Sequence, residues 1–307
     1  MRKDVEQAVA LLAEKTPQSL EQALKLIQGT VFSFSMKVCG QREDAEDTMQ
    51  EVLVKSLPQL PKFESPRALL VWLYKVAKNR CLMSRRRSRF APEPDLSLDG
   101  LMPDRYQLDQ IAEEGPLNPE LMAIRSQEAR RLREAIQELP PQYRIVLVLR
   151  DMEGLTDEDV GEVTGVRPGT VRVRLHRARL FVRRALADRG KRARAAKASV
   201  VSPRVAKIPG SDRRPASCKA LFAQLSDYLD EQLDDSLCDE LEKHLDGCQP
   251  CKAFLESLER SIQQCRMAPK QSPDRCVAAK LRRDLVSEYQ SLMTRINASH
   301  PIDPRQS

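Results

Sequence analysis

The sequence predicts an all-α chain built as small helical modules, and three observations carry that expectation. Aromatic residues are 4% of the 307 residues and glycines number 11, both sparse for a β protein. Apolar residues recur at the three- and four-residue steps of an amphipathic helix over most of the chain. Two stretches interrupt that periodicity with proline and one-signed charge, which divides the chain into modules on linkers. Apolar residues are 41% against 31% charged, enough for several modest cores and not for one large one.

The first module spans 1–89. Val5, Val9 and Leu12, then Leu20, Leu24, Ile27 and Val31, follow helical spacing. Pro58 and Pro61 break it, Leu69, Trp72, Leu73, Val76 and Ala77 resume it, and Arg85–Arg87 with Arg89 closes the block. An acidic, Pro-rich linker follows over 90–117, and residues 90–120 hold eight acidic side chains and one Arg. It is expected to be extended. A second helical module covers 118–188, broken at Pro140–Pro141, Gly154 and the Gly165–Gly169 region. A second linker, 189–215, holds nine basic side chains and one Asp. A cysteine-containing module follows over 216–264. In the last segment, 265–307, Val277, Leu281, Leu285, Leu292 and Ile296 predict a final amphipathic helix.

The net charge of +7 averages over these opposed blocks, a segregation that points to polyanion contact. Uninterrupted apolar stretches such as Leu69–Leu73 and Ile145–Leu149 are too short to span a bilayer. No basic-then-apolar segment opens the chain. A membrane or secreted protein is therefore excluded and a cytoplasmic one expected, with its eight cysteines mostly reduced. Close cysteine spacing then favours a metal over a disulfide.

Residues 155–182 read as a helix-turn-helix. Thr156, three residues before Asp159, caps a short helix whose apolar side is Val160 and Val163. Gly165 suits a left-handed turn, and Pro168 suits the first position of the next helix. Gly161 stands where only a small residue fits. The second helix puts Val171, Leu175, Ala178 and Val182 on one stripe and Arg172, His176, Arg179 and Arg183 on another. Arg167, Thr170, Arg174 and Arg177 lie beside the second stripe. A buried face opposite a cationic surface is what a helix lying in a major groove needs.

Segment 132–186, with "GTVRVRLHRAR", resembles the promoter-reading domain of bacterial sigma factors of the extracytoplasmic function (ECF) class. The resemblance implies region 4, binding the −35 element through Arg167, Thr170, Arg172, Arg174, His176, Arg177 and Arg179. The family usually has Ala at the position of Gly161. In the first module, "EDAEDTMQEVLVKSL" (43–57) is an amphipathic helix offering carboxylates to a basic partner. It resembles the sigma helix that docks on the polymerase clamp helices, which implies Asp44, Asp47, Gln50 and Glu51 as core-polymerase contacts. "FESPRALLVWLYKVAKNRCLMSRRR" (63–87) is similar to the segment of region 2 that captures the melted −10 strand. Lys75, Lys78, Asn79 and Arg80 are the candidate strand contacts, since cationic walls hold an unstacked backbone. Trp72 reads as a core anchor because Leu69, Leu73 and Val76 share its face. The family commonly has an aromatic near Leu69 and an Asp near Met83. By the same resemblance, the acidic linker imitates nucleic-acid charge in a polymerase cleft.

Cys218, His244, Cys248 and Cys251 form the order C-x25-H-x3-C-x2-C. His244 and Cys248 lie four apart near the end of a helix capped by Asp235 or Ser236, and Cys251 opens a helix with Phe254, Leu255, Leu258 and Ile262. Four such ligands suit one tetrahedral Zn²⁺, and a module of this size needs such a staple. Incidental reduced thiols or a redox pair are the alternatives. The module resembles the zinc-binding anti-sigma domain. The family spacing selects Cys218 over Cys238, which falls within the His-bearing helix; Cys265 and Cys276 receive no role. Fused to its target, such a domain implies regulation in cis by intramolecular contact with the sigma modules. A non-enzymatic bacterial sigma factor is expected, with core RNA polymerase and promoter DNA as partners, and neither membrane nor small-molecule substrate. The alternative is a helix-turn-helix repressor with a metal sensor, which leaves the acidic stripe 44–51 unexplained.

Overall fold

The computed structural model describes residues 3–14, 16–63, 65–84, 95–103, 108, 125–197, 222 and 224–299. Helices make up the regular structure, and no strand occurs among the described residues. The first body packs α1 (Lys3–Ala13), α2 (Pro17–Cys39), α3 (Arg42–Ser56) and α4 (Pro66–Ser84). Thr16 starts α2 with a capping box to Ser19, Pro17 takes the first turn, and Gly40 ends it at φ 79. Leu20, Leu24, Ile27 and Val31 are buried along one side of α2, against Val5, Ala8, Leu69, Leu73 and Ala77. Each such side chain contributes about 1.5–3 kcal/mol by leaving water.

Part of the acidic segment is folded, where an extended linker was expected. Leu98–Leu101 forms a single helical turn, α5, and Leu101, Met102 and Leu108 are buried with Leu180, Phe222 and Leu225. The apolar partners come from other modules, so local periodicity gave no sign of them.

The second body comprises α6 (Arg125–Glu138), α7 (Pro141–Leu147), α8 (Asp157–Thr164) and α9 (Pro168–Lys197). Between α7 and α8 the chain widens into a π-helical turn, Val148–Met152. Helix α9 is one unbroken helix of 30 residues that runs past 188 into the basic segment. The third body has α10 (Leu225–Leu229), α11 (Asp235–Gly247) and α12 (Gln249–Arg266). Leu241, Leu245, Phe254, Leu258 and Ile262 form its apolar side. Asp234 caps α11 by accepting from the Leu237 N–H at 3.0 Å, one residue earlier than the sequence reading placed the cap.

The first two bodies share one continuous core. The third rests on α9 and on the π turn. The last helix, α13 (Arg275–Ser299), returns across the chain to α2. There Gln28 Nε2 donates to the Ala278 carbonyl at 3.3 Å and Arg282 donates to Gln28 Oε1 at 2.7 Å. Ala278 and Leu285 are buried in that contact. No helix among the described residues is long and apolar enough to cross a membrane.

Candidate nucleic-acid interface and metal centre

The helix-turn-helix forms as its residues dictate. Thr156 Oγ1 accepts from the Asp159 N–H at 3.2 Å, satisfying one of the open donors of α8. Gly165, at φ 78, ends α8 with its N–H on the Gly161 carbonyl at 2.8 Å. Pro168 begins α9. A Cβ on Gly161 would sit 2.8 Å from the Val166 carbonyl oxygen, closer than real Cβ contacts come. The crowding therefore comes from the turn, and even the family's Ala requires a backbone shift.

Along α9, Val171, Leu175, Ala178 and Val182 are buried as the stripe predicts. Arg167, Thr170 and Arg172 are exposed and Arg174 is half-buried. The opposite stripe departs from its expected solvent-facing place. His176 is 7% exposed, Arg179 1% and Arg183 7%. Arg179 donates to both Asp151 oxygens at 2.9 and 2.6 Å, and to both Asp230 oxygens at 2.8 and 3.0 Å. It is held between its own module and the cysteine-containing one. His176 Nδ1 lies 2.7 Å from Ser226 Oγ. The Arg183 guanidinium stacks 4.0 Å from the centre of the Phe254 ring. Burial, and then the nearby Arg179 and Arg177 cations, push the His176 imidazole down to about 4. Helical period identifies a stripe but not what covers it, which is why these three were read as surface. Arg177 is half-buried and pairs with Asp95 at 3.0 Å, joined by the Tyr143 hydroxyl.

In the first body, Asp47 and Gln50 are exposed and Asp44 half-buried on α3. Glu51 receives Lys55 at 2.6 Å and Arg80 at 2.8 Å, and the Lys55 hydrogen bond leads in holding its carboxyl below the usual range. On α4, Lys75 and Asn79 are exposed, while Lys78 donates to the Val163 carbonyl at 2.9 Å. Burial, reinforced by Lys75, lowers the Lys78 ammonium. Trp72 is half-buried against the shared core, its ring 5.8 Å from that of Phe63.

Other polar residues at the seam between the first two bodies went unnoticed in the sequence. Lys37 pairs with Glu153 at 2.6 Å, and the Tyr74 hydroxyl donates to the same carboxylate at 2.7 Å, all three buried. Arg144 donates to the Val38 carbonyl at 2.8 Å, and Gln137 to the Lys37 carbonyl at 2.7 Å. Arg67 bridges to Asp159 at 2.6 Å and Glu162 at 3.1 Å on α8. The wide π turn turns Asp151 toward Arg179 while Glu153 meets Lys37. The available signal was Asp151 and Glu153 within four residues of the end of the apolar run Ile145–Leu149, an acidic pair in a place where burial demands partners.

His244, Cys248 and Cys251 converge where α11 ends and α12 begins. Their ligand atoms lie within 4.8 Å of one another, with His244 Nε2 3.3 Å from Cys251 Sγ. Those separations, and one imidazole with two thiols, fit a tetrahedral zinc ion. Cys218 lies outside the described residues, and Cys238 is not part of the cluster. Five of the seven described cysteines are free, as a mostly reduced set requires, while Cys39 and Cys81 are disulfide-bonded.

Similarity to known proteins bears on these sites. Residues 25–90 match the profile of sigma-70 region 2, residues 129–182 that of sigma-70 region 4, and residues 218–252 that of a zinc-finger family. The ECF RNA polymerase sigma factor SigE of Mycolicibacterium smegmatis is 35% identical over 158 residues, 51% of this chain and 57% of that protein. The chain thus spans little more than half of that relative's length. ECF sigma factor SigD of Mycobacterium tuberculosis is 30% identical over 168 residues, 52% of this chain and 73% of that protein. SigW of Bacillus subtilis is 29% identical over 52% of this chain and 83% of its own length.

Proposed function

This chain belongs to the ECF family of RNA polymerase sigma factors, and from that premise we propose a sigma factor restrained by its own C-terminal zinc-binding segment. Asp44, Asp47, Gln50 and Glu51 on α3 bind core polymerase. Lys75, Lys78, Asn79 and Arg80 on α4 hold the melted −10 strand, and α9 reads the −35 element from Arg167 through Arg179. The protein acts in the bacterial cytoplasm, by binding and not by catalysis.

The observation that carries the reading is Arg179. Its guanidinium, on the DNA-facing stripe of α9, is taken up by Asp151 and by Asp230 of the C-terminal segment. Ser226 at His176 and Phe254 at Arg183 cover the same stretch of helix. A major groove cannot accept that side while it is covered. Lys78 is engaged as well, on Val163 of the second body. Opening therefore has to free both DNA-facing surfaces, and α13 keeps the C-terminal segment attached to α2. Zinc held by His244, Cys248 and Cys251, with Cys218 as fourth ligand, would supply a cross-link between α11 and α12. That cross-link would tie the start of α12, the helix that carries Phe254 and Cys265, to the end of α11.

In vitro transcription with core polymerase tests this, comparing the full chain with a truncation after Arg189 on promoters selected from the host genome. Both initiate, and the truncation is the stronger. Duplex binding by both without polymerase recruitment would instead make the protein a repressor.

A further inference from the structure

We propose that Cys39 and Cys81 form a reversible dithiol–disulfide site that sets how firmly the second body is held on the first. The bond itself stands apart from the function proposed above; its effect on activity rests on that reading. Cys39 is the last residue of α2 and Cys81 lies near the end of α4, 42 positions on, with Cα atoms 5.5 Å apart. Both are buried in the core, at 0% and 2% exposed. The Thr48 hydroxyl of α3 lies 3.9 Å from one sulfur and 3.8 Å from the other. The site is thus enclosed by all three long helices of the first body, and it uses neither the cysteines of the metal cluster nor any residue assigned to DNA or polymerase.

The placement gives the bond a consequence. The second body grips the first at two places. One is the end of α2: Glu153 takes Lys37, Gln137 takes the Lys37 carbonyl and Arg144 the Val38 carbonyl. A Cβ added to Gly40, two residues on, would strike Gln137. The other is α4, where Lys78 reaches Val163 and Arg67 reaches Asp159 and Glu162. Cys39 directly follows the first grip and Cys81 is three residues beyond Lys78. One covalent bond therefore ties together the two helices that docking must find in register. Fixing them in advance removes ordering cost from docking, so the bonded form holds the closed arrangement more tightly than the dithiol.

The chemistry is balanced with a peroxide as oxidant and a dithiol as reductant. One thiolate attacks the O–O bond of hydrogen peroxide, giving a sulfenic acid and hydroxide, which takes a proton to leave as water. The second thiol displaces the sulfenic oxygen as another water, forming the S–S bond; both sulfurs are oxidised and both peroxide oxygens reduced. A dithiol reverses this by exchange, leaving as its own disulfide and returning two protons and two electrons to the pair.

The test uses the full chain in dithiothreitol redox buffers, with hydrogen peroxide as a second oxidant and zinc content followed throughout. Alkylation and mass spectrometry measure the linked peptide joining Cys39 to Cys81. Transcription with core polymerase is measured on the same samples for wild type, Cys39→Ala plus Cys81→Ala, and Asp230→Ala. The linked peptide is expected to form and vanish reversibly, with reduction raising wild-type transcription by about fivefold, the low end of couplings between sites. The double variant is expected to lack that response. No linked peptide under any buffer or peroxide overturns the site. A linked peptide with equal redox responses in wild type and double variant overturns its effect. An unchanged Asp230→Ala protein with a redox-responsive wild type would remove the cis-restraint reading and leave the site intact. Should the double variant not fold, hydrogen exchange of the wild-type seam over 137–164 against linked fraction decides: slower exchange with more linkage supports the effect, and no correlation overturns it.

Discussion

Asp230→Ala isolates the contact between the C-terminal segment and α9, the helix proposed to read the −35 element. In the closed arrangement the Asp230 carboxylate accepts from Arg179 at 2.8 and 3.0 Å, with side-chain exposures of 6% and 0%. A hydrogen bond to a charged group is worth about 1.5–3 kcal/mol. Two bonds are lost, but they share one carboxylate, and Arg179 retains both bonds to Asp151. The loss is therefore closer to one strong bond than to two, about 2–3 kcal/mol. It falls on the closed form alone, because in the open form water solvates Asp230 and the rest of Arg179. At 1.4 kcal/mol per decade, the ratio of open to closed rises about 30- to 150-fold. The third contact, from Arg266 at 3.5 Å, is half-exposed and adds little. Run-off transcription with core polymerase is expected to rise, and hydrogen exchange over 225–266 to quicken, while α6–α8 keep their protection. Glu256→Ala, an exposed acid on the outer side of α12, is the control. Unchanged transcription and unchanged exchange in Asp230→Ala, matching the control, would refute the clamp.

Replacing Cys248 and Cys251 together by Ala is expected to abolish zinc binding, read by mass spectrometry of the intact protein, and to raise promoter activity; activity equal to wild type would make the metal purely structural. Gly161→Ala is expected to lower the melting temperature, since overpacking costs about 1–3 kcal/mol and the gain in helix propensity offsets at most about 1 kcal/mol. A higher melting temperature would mean that the Val166 carbonyl moves freely. For His176 the sign follows from burial: its value is pushed down to about 4 when closed and returns toward the ordinary 6.5 when open. The open form then binds the extra proton, so the closed form is fully stable above pH 6.5 and loses stability as pH falls from there toward 4. Hydrogen exchange over 225–266, corrected for its intrinsic pH dependence, is expected to quicken between pH 7.5 and 5.5, and His176→Gln to flatten that dependence.

The helices and the helix-turn-helix were legible because each rests on local chemistry. Thr156, Gly165 and Pro168 fix α8, the turn and the start of α9 through interactions within four residues. The convergence of His244, Cys248 and Cys251 was legible for the same reason: one helix end and the next helix start supply all three. What escaped was everything set by distant packing. Arg179 looks like any cation on α9 until Asp230, 51 residues away, reaches it. Leu101 and Leu108 look like stray apolar residues in an acidic segment until Phe222 and Leu180 cover them. Cys39 and Cys81 are unremarkable in sequence, because a bond between them depends on α2 and α4 crossing beside Thr48.

The seams that close the chain also share a chemical character. Arg67, Lys78, Arg177 and Arg179 each donate to a carboxylate or carbonyl of another segment, on Asp159, Glu162, Val163, Asp95 and Asp230. Oxygen acceptors of this kind occupy the donors that phosphate oxygens would otherwise take. A wholly apolar seam would resist opening in proportion to the area exposed and would leave sticky surface behind. Here many of the groups freed by opening are charged and rehydrate at once, and under the proposed function Lys78, Arg177 and Arg179 exchange these oxygens for phosphates of promoter DNA. Lys37 and Glu153 obey the same logic more strongly. Buried together they repay their lost hydration only while both remain in place. Separation of the two bodies returns both to water, so the pair does not penalise the open form. The closed state is thus held by interactions that vanish without residue when the bodies part, as a reversible restraint requires.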